Sequence, residues 1–113
     1  MNMYKENIVD HYKNPRNKKE MSNATHSHAE HNPLCGDTIT IFMNEKEVTF
    51  TGEGCAISQA SASLLTEFLK GKSMEDVKNI TEEKVYELLG IPISHARRKC
   101  ALLPLFALRG ALC

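Results

Sequence analysis

The sequence has no tryptophan, no net charge and no long hydrophobic run, and each absence narrows what the chain can do. Lys plus Arg and Asp plus Glu balance at 14 each, for a formal net charge of zero. Proteins built to hold nucleic acid carry a basic excess, so no nucleic-acid partner is expected. No apolar stretch approaches the ~20 residues of a membrane span, and no membrane partner is expected either. Met1–Glu6 lacks the basic-then-apolar pattern of a signal peptide, so the expected location is the cytoplasm. None of the four cysteines, Cys35, Cys55, Cys100 and Cys113, belongs to a Cys-x-x-Cys pair. Zinc-ribbon and thioredoxin-type readings lose their main support. In a reducing compartment four thiols point to metal or redox chemistry rather than disulfides. Any site must therefore be assembled from distant segments.

What is present is ordinary for a globular chain. With 113 residues, 42% hydrophobic and 25% charged, one domain spanning residues 1–113 is expected, large enough for a single modest core. No internal repeat or low-complexity tract interrupts it. Residues 4–13 read as an amphipathic helix with an apolar stripe of Tyr4, Ile8, Val9 and Tyr12, stopped by Asn14-Pro15. Arg16 to Glu20 reads as a solvated charged loop. The polar stretch Ser22 to Asn32 holds His26, His28 and His31, a surface cluster rather than a metal site, with a short edge strand near Ala24 to His28. Thr38–Met43 and Val48–Thr51 alternate as a hairpin, with Ile39, Ile41, Met43, Val48 and Phe50 on the face to be buried. Two strands are marginal in water, so helices must cover that face. A helix follows Cys55 and ends at Gly71, and its early turns are small residues. Ser73 and Thr81 look like N-caps of two further helices. The last helix starts near Ser94 and runs towards Leu112, with Pro104 expected to kink or divide it.

The chemistry concentrates in Asn32-Pro33-Leu34-Cys35-Gly36-Asp37. In extended backbone residues i and i+2 point to one side, so Cys35 and Asp37 can face one metal. Cys55 stands at a helix N-terminus, where exposed N–H groups favour a thiolate. Cys100 lies on the final helix. Three thiolates and one carboxylate can complete a zinc shell or hold an iron–sulfur cluster. A hard oxygen among soft sulfurs should exchange more readily than a fourth thiolate, which suits delivery better than storage. The basic triplet Arg97-Arg98-Lys99 can offset the negative charge of such a site, or form a solvated turn that meets an acidic partner. His95, five positions before Cys100, would project about 140° away from it around an ideal helix and is not expected to be a ligand. Cys113 is expected to be a spare thiol.

Four segments in this order carry a resemblance: Tyr12-Lys13-Asn14-Pro15-Arg16-Asn17, Asn32 to Asp37, Gly52-Glu53-Gly54-Cys55, and Lys99-Cys100-Ala101-Leu102-Leu103-Pro104. Together they resemble the U-type iron–sulfur assembly scaffolds, IscU, SufU and the N-terminal domain of NifU. The resemblance implies an α+β fold, with a small antiparallel sheet of two to three strands, helices packed on one face and the site at one end. It implies ligands Cys35, Asp37, Cys55 and Cys100. A pyridoxal-phosphate (PLP-dependent) cysteine desulfurase would supply sulfur, and a [2Fe-2S] cluster would be assembled and passed to apo-protein clients, with no enzymatic turnover of its own. Whether the chain forms a homo-oligomer stays open.

The branch is mixed. Isc-type members have histidine before the third cysteine and a Leu-Pro-Pro-Val-Lys motif; here Lys99 and Leu89-Gly90-Ile91-Pro92-Ile93 stand instead. Lys99 and Cys-Ala-Leu-Leu-Pro resemble the SufU type, but the insertion that SufU carries between its second and third cysteines is missing. The alternative function is therefore a zinc-dependent sulfur acceptor that activates a SufS-type desulfurase, with Zn2+ in the same site.

Overall fold

β-Branched alternation, a tight turn and two capped helix starts account for most of the chain's local structure. The computed structural model describes residues 3–33 and 36–112, the side chains of Met3 and Tyr4 excepted. The elements in order are α1 (Met3–Lys13), β1 (His26–Asn32), β2 (Asp37–Met43), β3 (Val48–Glu53), α2 (Ala56–Leu69), α3 (Met74–Lys78), α4 (Glu82–Leu89), a 3-10 turn (His95–Arg97) and α5 (Arg98–Leu112). The strands form one antiparallel sheet in the order β1-β2-β3. This is the expected α+β architecture, with three strands.

Parity along β2 organises the core. Asp37, Ile39, Ile41 and Met43 all point to the helix-covered face and are buried, while Thr38, Thr40 and Phe42 on the other face stay half-buried. Val48 and Phe50 continue the buried face on β3. With Leu65, Leu105 and Leu108 they make the centre of the core, each side chain contributing about 1.5–3 kcal/mol of transfer free energy. The small residues of α2 let it lie between neighbours: Ala60, Ala62 and Ser63 are fully buried, and the Ser61 hydroxyl donates to the Ala101 carbonyl of α5 at 2.6 Å. Ser73 and Thr81 cap α3 and α4 as expected, their hydroxyl oxygens accepting the backbone N–H groups of Asp76 and Lys84 at 3.2 Å. Gly90 ends α4 in the left-handed region at φ 72°, as a C′ glycine does.

Five expectations are corrected in whole or in part. The face that α1 buries matches the expected stripe only at Ile8: His11 faces inward beside it, Val9 and Tyr12 are exposed, and the Tyr4 side chain lies outside the described residues. A polar partner decides this, because Ser63 on α2 receives the His11 ring at 2.7 Å and the Arg16 N–H at 2.9 Å. The Arg16–Glu20 loop is held rather than simply solvated. Asn17, at φ 64°, accepts the Phe50 N–H at 2.9 Å, and Lys18 bridges to Phe50 beside β3. β1 lies further along than expected and reaches Asn32. Finally, of the kink or division expected at Pro104, division does not occur: α5 continues through the buried proline. The proline removes one N–H donor and leaves the rest of the ladder to carry the helix. Its start is also later, since Ser94 makes no side-chain cap and His95–Arg97 form a 3-10 turn.

Burial pushes the His11 ring below its ordinary value of 6.5, and the Arg16 guanidinium adds to the shift against the opposing Asp10 and Glu67 carboxylates. The native state thus favours neutral His11, whose Nδ1 lies 2.7 Å from the Ser63 hydroxyl. Because the imidazole of the unfolded chain is protonated first as pH falls, stability from this contact is complete above about pH 6.5 and falls as pH drops below it. Urea midpoints measured from pH 7.5 to 5 should therefore decline on the acid side. His11→Gln should flatten that part of the profile.

Candidate metal centre

Three elements deliver their ends to one point. Asp37 opens β2 on its buried face, Cys55 is the residue that caps α2, and Cys100 sits in the first turn of α5. One carboxylate oxygen and the two sulfurs all lie within 4.8 Å of one another, with Asp37 and Cys100 buried and Cys55 half-buried. No other group of three His, Cys, Asp or Glu side chains among the described residues meets the same test. Cys35 and Cys113 lie outside the described residues.

The sequence explains how the carboxylate reaches the thiol. After β3, Gly54 takes φ 146°, a region essentially reserved for glycine. A Cβ there would collide with the Asp37 carboxylate. The turn brings the Cys55 N–H to Asp37 Oδ1 at 2.9 Å, and the Cys55 Sγ to Oδ2 at 3.6 Å. Cys55 itself makes no side-chain cap, so its sulfur is not committed to the helix. Gly54→Ala should therefore cost about 3 kcal/mol through strain and collision together. A chemical denaturation series on the metal-free protein measures it, and metal uptake should fall in parallel because Asp37 must move.

Across the same strand end, Asn32 pairs with Asp37 in the β1–β2 register, and its amide Nδ2 donates to Cys100 Sγ at 3.7 Å. The Asn32 carbonyl accepts the Gly36 N–H at 2.8 Å, closing the connection between the strands. A cavity of about 210 Å³ opens beside this point, lined by His31, Asn32, Pro33, Lys99 and Leu103 among others. Asn32 was singled out in the sequence only as part of its motif. The signal available was its place at a strand end beside a cysteine.

The three histidines of β1 are engaged elsewhere. His28 Nε2 meets Glu30 Oε1 at 2.7 Å, His31 Nδ1 lies 3.3 Å from the Thr38 hydroxyl, and His26 Nδ1 lies 3.0 Å from the Thr25 hydroxyl. His95 and Arg97 belong to the exposed turn before α5 rather than to its helix, so the ideal-helix projection expected for His95 does not describe it. Chemically, two soft sulfurs and a hard oxygen in one small space suit zinc or iron.

A small α+β module with a carboxylate and thiols gathered at one end of a three-stranded sheet belongs to the metal-handling class. The family model described as NifU-like N terminal domain matches residues 3–113. The chain is 36% identical to "Iron-sulfur cluster assembly scaffold protein IscU 1" of Archaeoglobus fulgidus, over 97% of this chain and 74% of that protein. It is equally 36% identical to "Zinc-dependent sulfurtransferase SufU" of Bacillus subtilis, over 89% of this chain and 83% of that one. Among solved structures it is similar to a SUF-system scaffold (FiSufU) of Fervidobacterium islandicum AW-1, at TM-score 0.77 and 29% identity over 96% of this chain and 95% of that one. A NifU-like N-terminal structure from Brucella abortus, at TM-score 0.70 and 23% identity over 96% and 91%, shares the fold. The chain belongs to the NifU-like N-terminal domain family of IscU- and SufU-type iron–sulfur assembly scaffolds. No described helix is long and apolar enough to cross a membrane.

Proposed function

We propose that residues 1–113 act as one scaffold domain on which an iron–sulfur cluster, of [2Fe-2S] type, is assembled on Cys35, Asp37, Cys55 and Cys100 and from which it is passed on. The observation that supports this most is the convergence of Asp37, Cys55 and Cys100 within 4.8 Å. Cys35 joins the set by sequence, two positions from Asp37. In this reading a PLP-dependent cysteine desulfurase in the cytoplasm delivers sulfur, and apo iron–sulfur proteins receive the product. The cluster is cargo, and the carboxylate is the ligand most ready to let it go, because oxygen binds iron less persistently than thiolate does.

A second reading draws on the equal identity to a zinc-dependent sulfurtransferase. There zinc occupies the same residues, and a chain thiolate attacks the outer sulfur of a partner persulfide. The new S–S bond forms on this chain as the old one breaks, and the partner leaves as a thiolate. Metal and acid-labile sulfide content after anaerobic purification tests the two. Iron with equimolar sulfide after incubation with iron, cysteine and a desulfurase supports the scaffold. Stoichiometric zinc that resists exchange with iron favours the sulfur acceptor and overturns the first reading.

A further inference from the structure

The scaffold reading leaves Asn32 without a role, yet its placement at the sheet end mirrors that of Asp37. The two residues face each other as the last pair of β1 and β2. Both are buried, Asn32 at 5% exposure and Asp37 at 0%. Each meets a different thiol: the Asp37 carboxylate reaches Cys55, while the Asn32 amide reaches Cys100 at 3.7 Å. Their chemistry differs in a way that matters once metal arrives. A carboxylate can leave its thiol and bind the metal. An amide N–H can only donate, and a metal-bound thiolate keeps lone pairs to accept it. A thiolate is also a stronger acceptor than a thiol, since bonds to ionised partners are the strong ones.

We propose that Asn32 is a positioning residue which aims Cys100 Sγ into the site and, when metal is bound, keeps an N–H···S bond that drains electron density from that sulfur. The proposal rests on Cys100 being a ligand, as in the proposed function. Hydrogen bonds to ligand sulfurs help set the potential of an iron–sulfur cluster, and partners of metal ligands typically change affinity by about 10–100-fold when removed. Asn32 thus holds one cysteine at reduced donor strength, opposite the one carboxylate.

Full-length protein loaded with cobalt(II) tests this, comparing wild type with Asn32→Ala and Asn32→Leu, neither of which can donate to the sulfur or bind the metal. In variants with native far-UV circular dichroism, the sulfur-to-cobalt band should move to lower energy, because the sulfur regains donor strength. The reduction potential of the reconstituted cluster should become more negative. Band and potential unchanged in folded variants overturn the proposal, since a merely structural asparagine would leave both where they were. A measurement on unmutated protein covers variants that fail to fold. With 113Cd bound, the Asn32 side-chain amide proton should show scalar coupling to cadmium through the sulfur, and its absence overturns the proposal. A cobalt band that is missing in wild type, or that survives Cys100→Ala unchanged, overturns the ligand reading and this inference with it. A band that disappears with Cys100 but ignores Asn32 overturns this inference alone.

Discussion

Cys100→Ala should strip the protein of stoichiometric metal while leaving its fold standing. Cys100 is fully buried in the first turn of α5, so truncation removes one sulfur atom from a packed place. The void is smaller than those left by Leu→Ala changes, which cost about 2.7–5.0 kcal/mol. Alanine, the better helix former, offsets part of the loss. A stability change of about 1 kcal/mol is expected, together with the loss of the Asn32 contact. Metal binding behaves differently because a thiolate ligand is not replaceable by packing. Removing one sulfur from the proposed set of four donors should lower zinc affinity by at least about 100-fold, more than the loss of an outer-shell partner. Elemental analysis beside a thermal melt separates the two effects: metal content near zero, melting temperature nearly kept. Cys55→Ala should give the same result, as its side chain makes no cap that the helix would miss. Full metal content in either variant would remove that cysteine from the ligand set.

How the site came to be readable in the sequence follows from which interactions are local. Strand parity is local, so the alternation of Ile39, Ile41 and Met43 fixed the buried face of β2 and with it the direction of Asp37. Helix caps are local too, which is why Ser73, Thr81 and the placement of Cys55 at the head of α2 could be anticipated. The meeting of Asp37, Cys55 and Cys100 is non-local and was visible only through the order of motifs along the chain. Elsewhere tertiary partners overrode the pattern. β1 reads His-Ser-His-Ala-Glu-His-Asn, with no apolar alternation, and is a strand because β2 pairs with it and α5 lies over it. His28 packs against Gly110 of α5, where any Cβ would collide with the ring. The buried face of α1 was read correctly only at Ile8 for a related reason: hydrophobicity favoured Val9 and Tyr12, but Ser63 offered His11 and Arg16 a hydrogen-bonding seat. A polar pair separated by 52 positions leaves no periodic trace.

If the site holds its cargo as proposed, Asp37→Cys should turn release into retention, and should do so while weakening the empty protein. The carboxylate has two uses in the fold. Oδ1 accepts the Cys55 N–H at 2.9 Å, and Oδ2 lies 3.6 Å from the same residue's sulfur. A hydrogen bond to an ionised acceptor contributes about 1.5–3 kcal/mol, and a thiol accepts poorly. The metal-free variant should therefore unfold at lower denaturant concentration, by about 1–2 kcal/mol. Once loaded, the order reverses. Four thiolates match iron and zinc better than three thiolates and an oxygen, and the oxygen's alternative partner, the Cys55 N–H, no longer competes for the ligand. Cluster lifetime against a chelator should lengthen by roughly 10-fold, the scale on which site changes act, and transfer to an apo-ferredoxin should slow accordingly. Asp37→Asn separates the two roles, since its amide oxygen can still accept the Cys55 N–H but carries no charge for the metal. That variant should keep more of the stability of the empty protein than Asp37→Cys does, without gaining the long lifetime. A cluster that leaves Asp37→Cys as fast as it leaves wild type would show that exchange is governed elsewhere, and the carboxylate would then be no more than the bond that holds the head of α2 to the sheet.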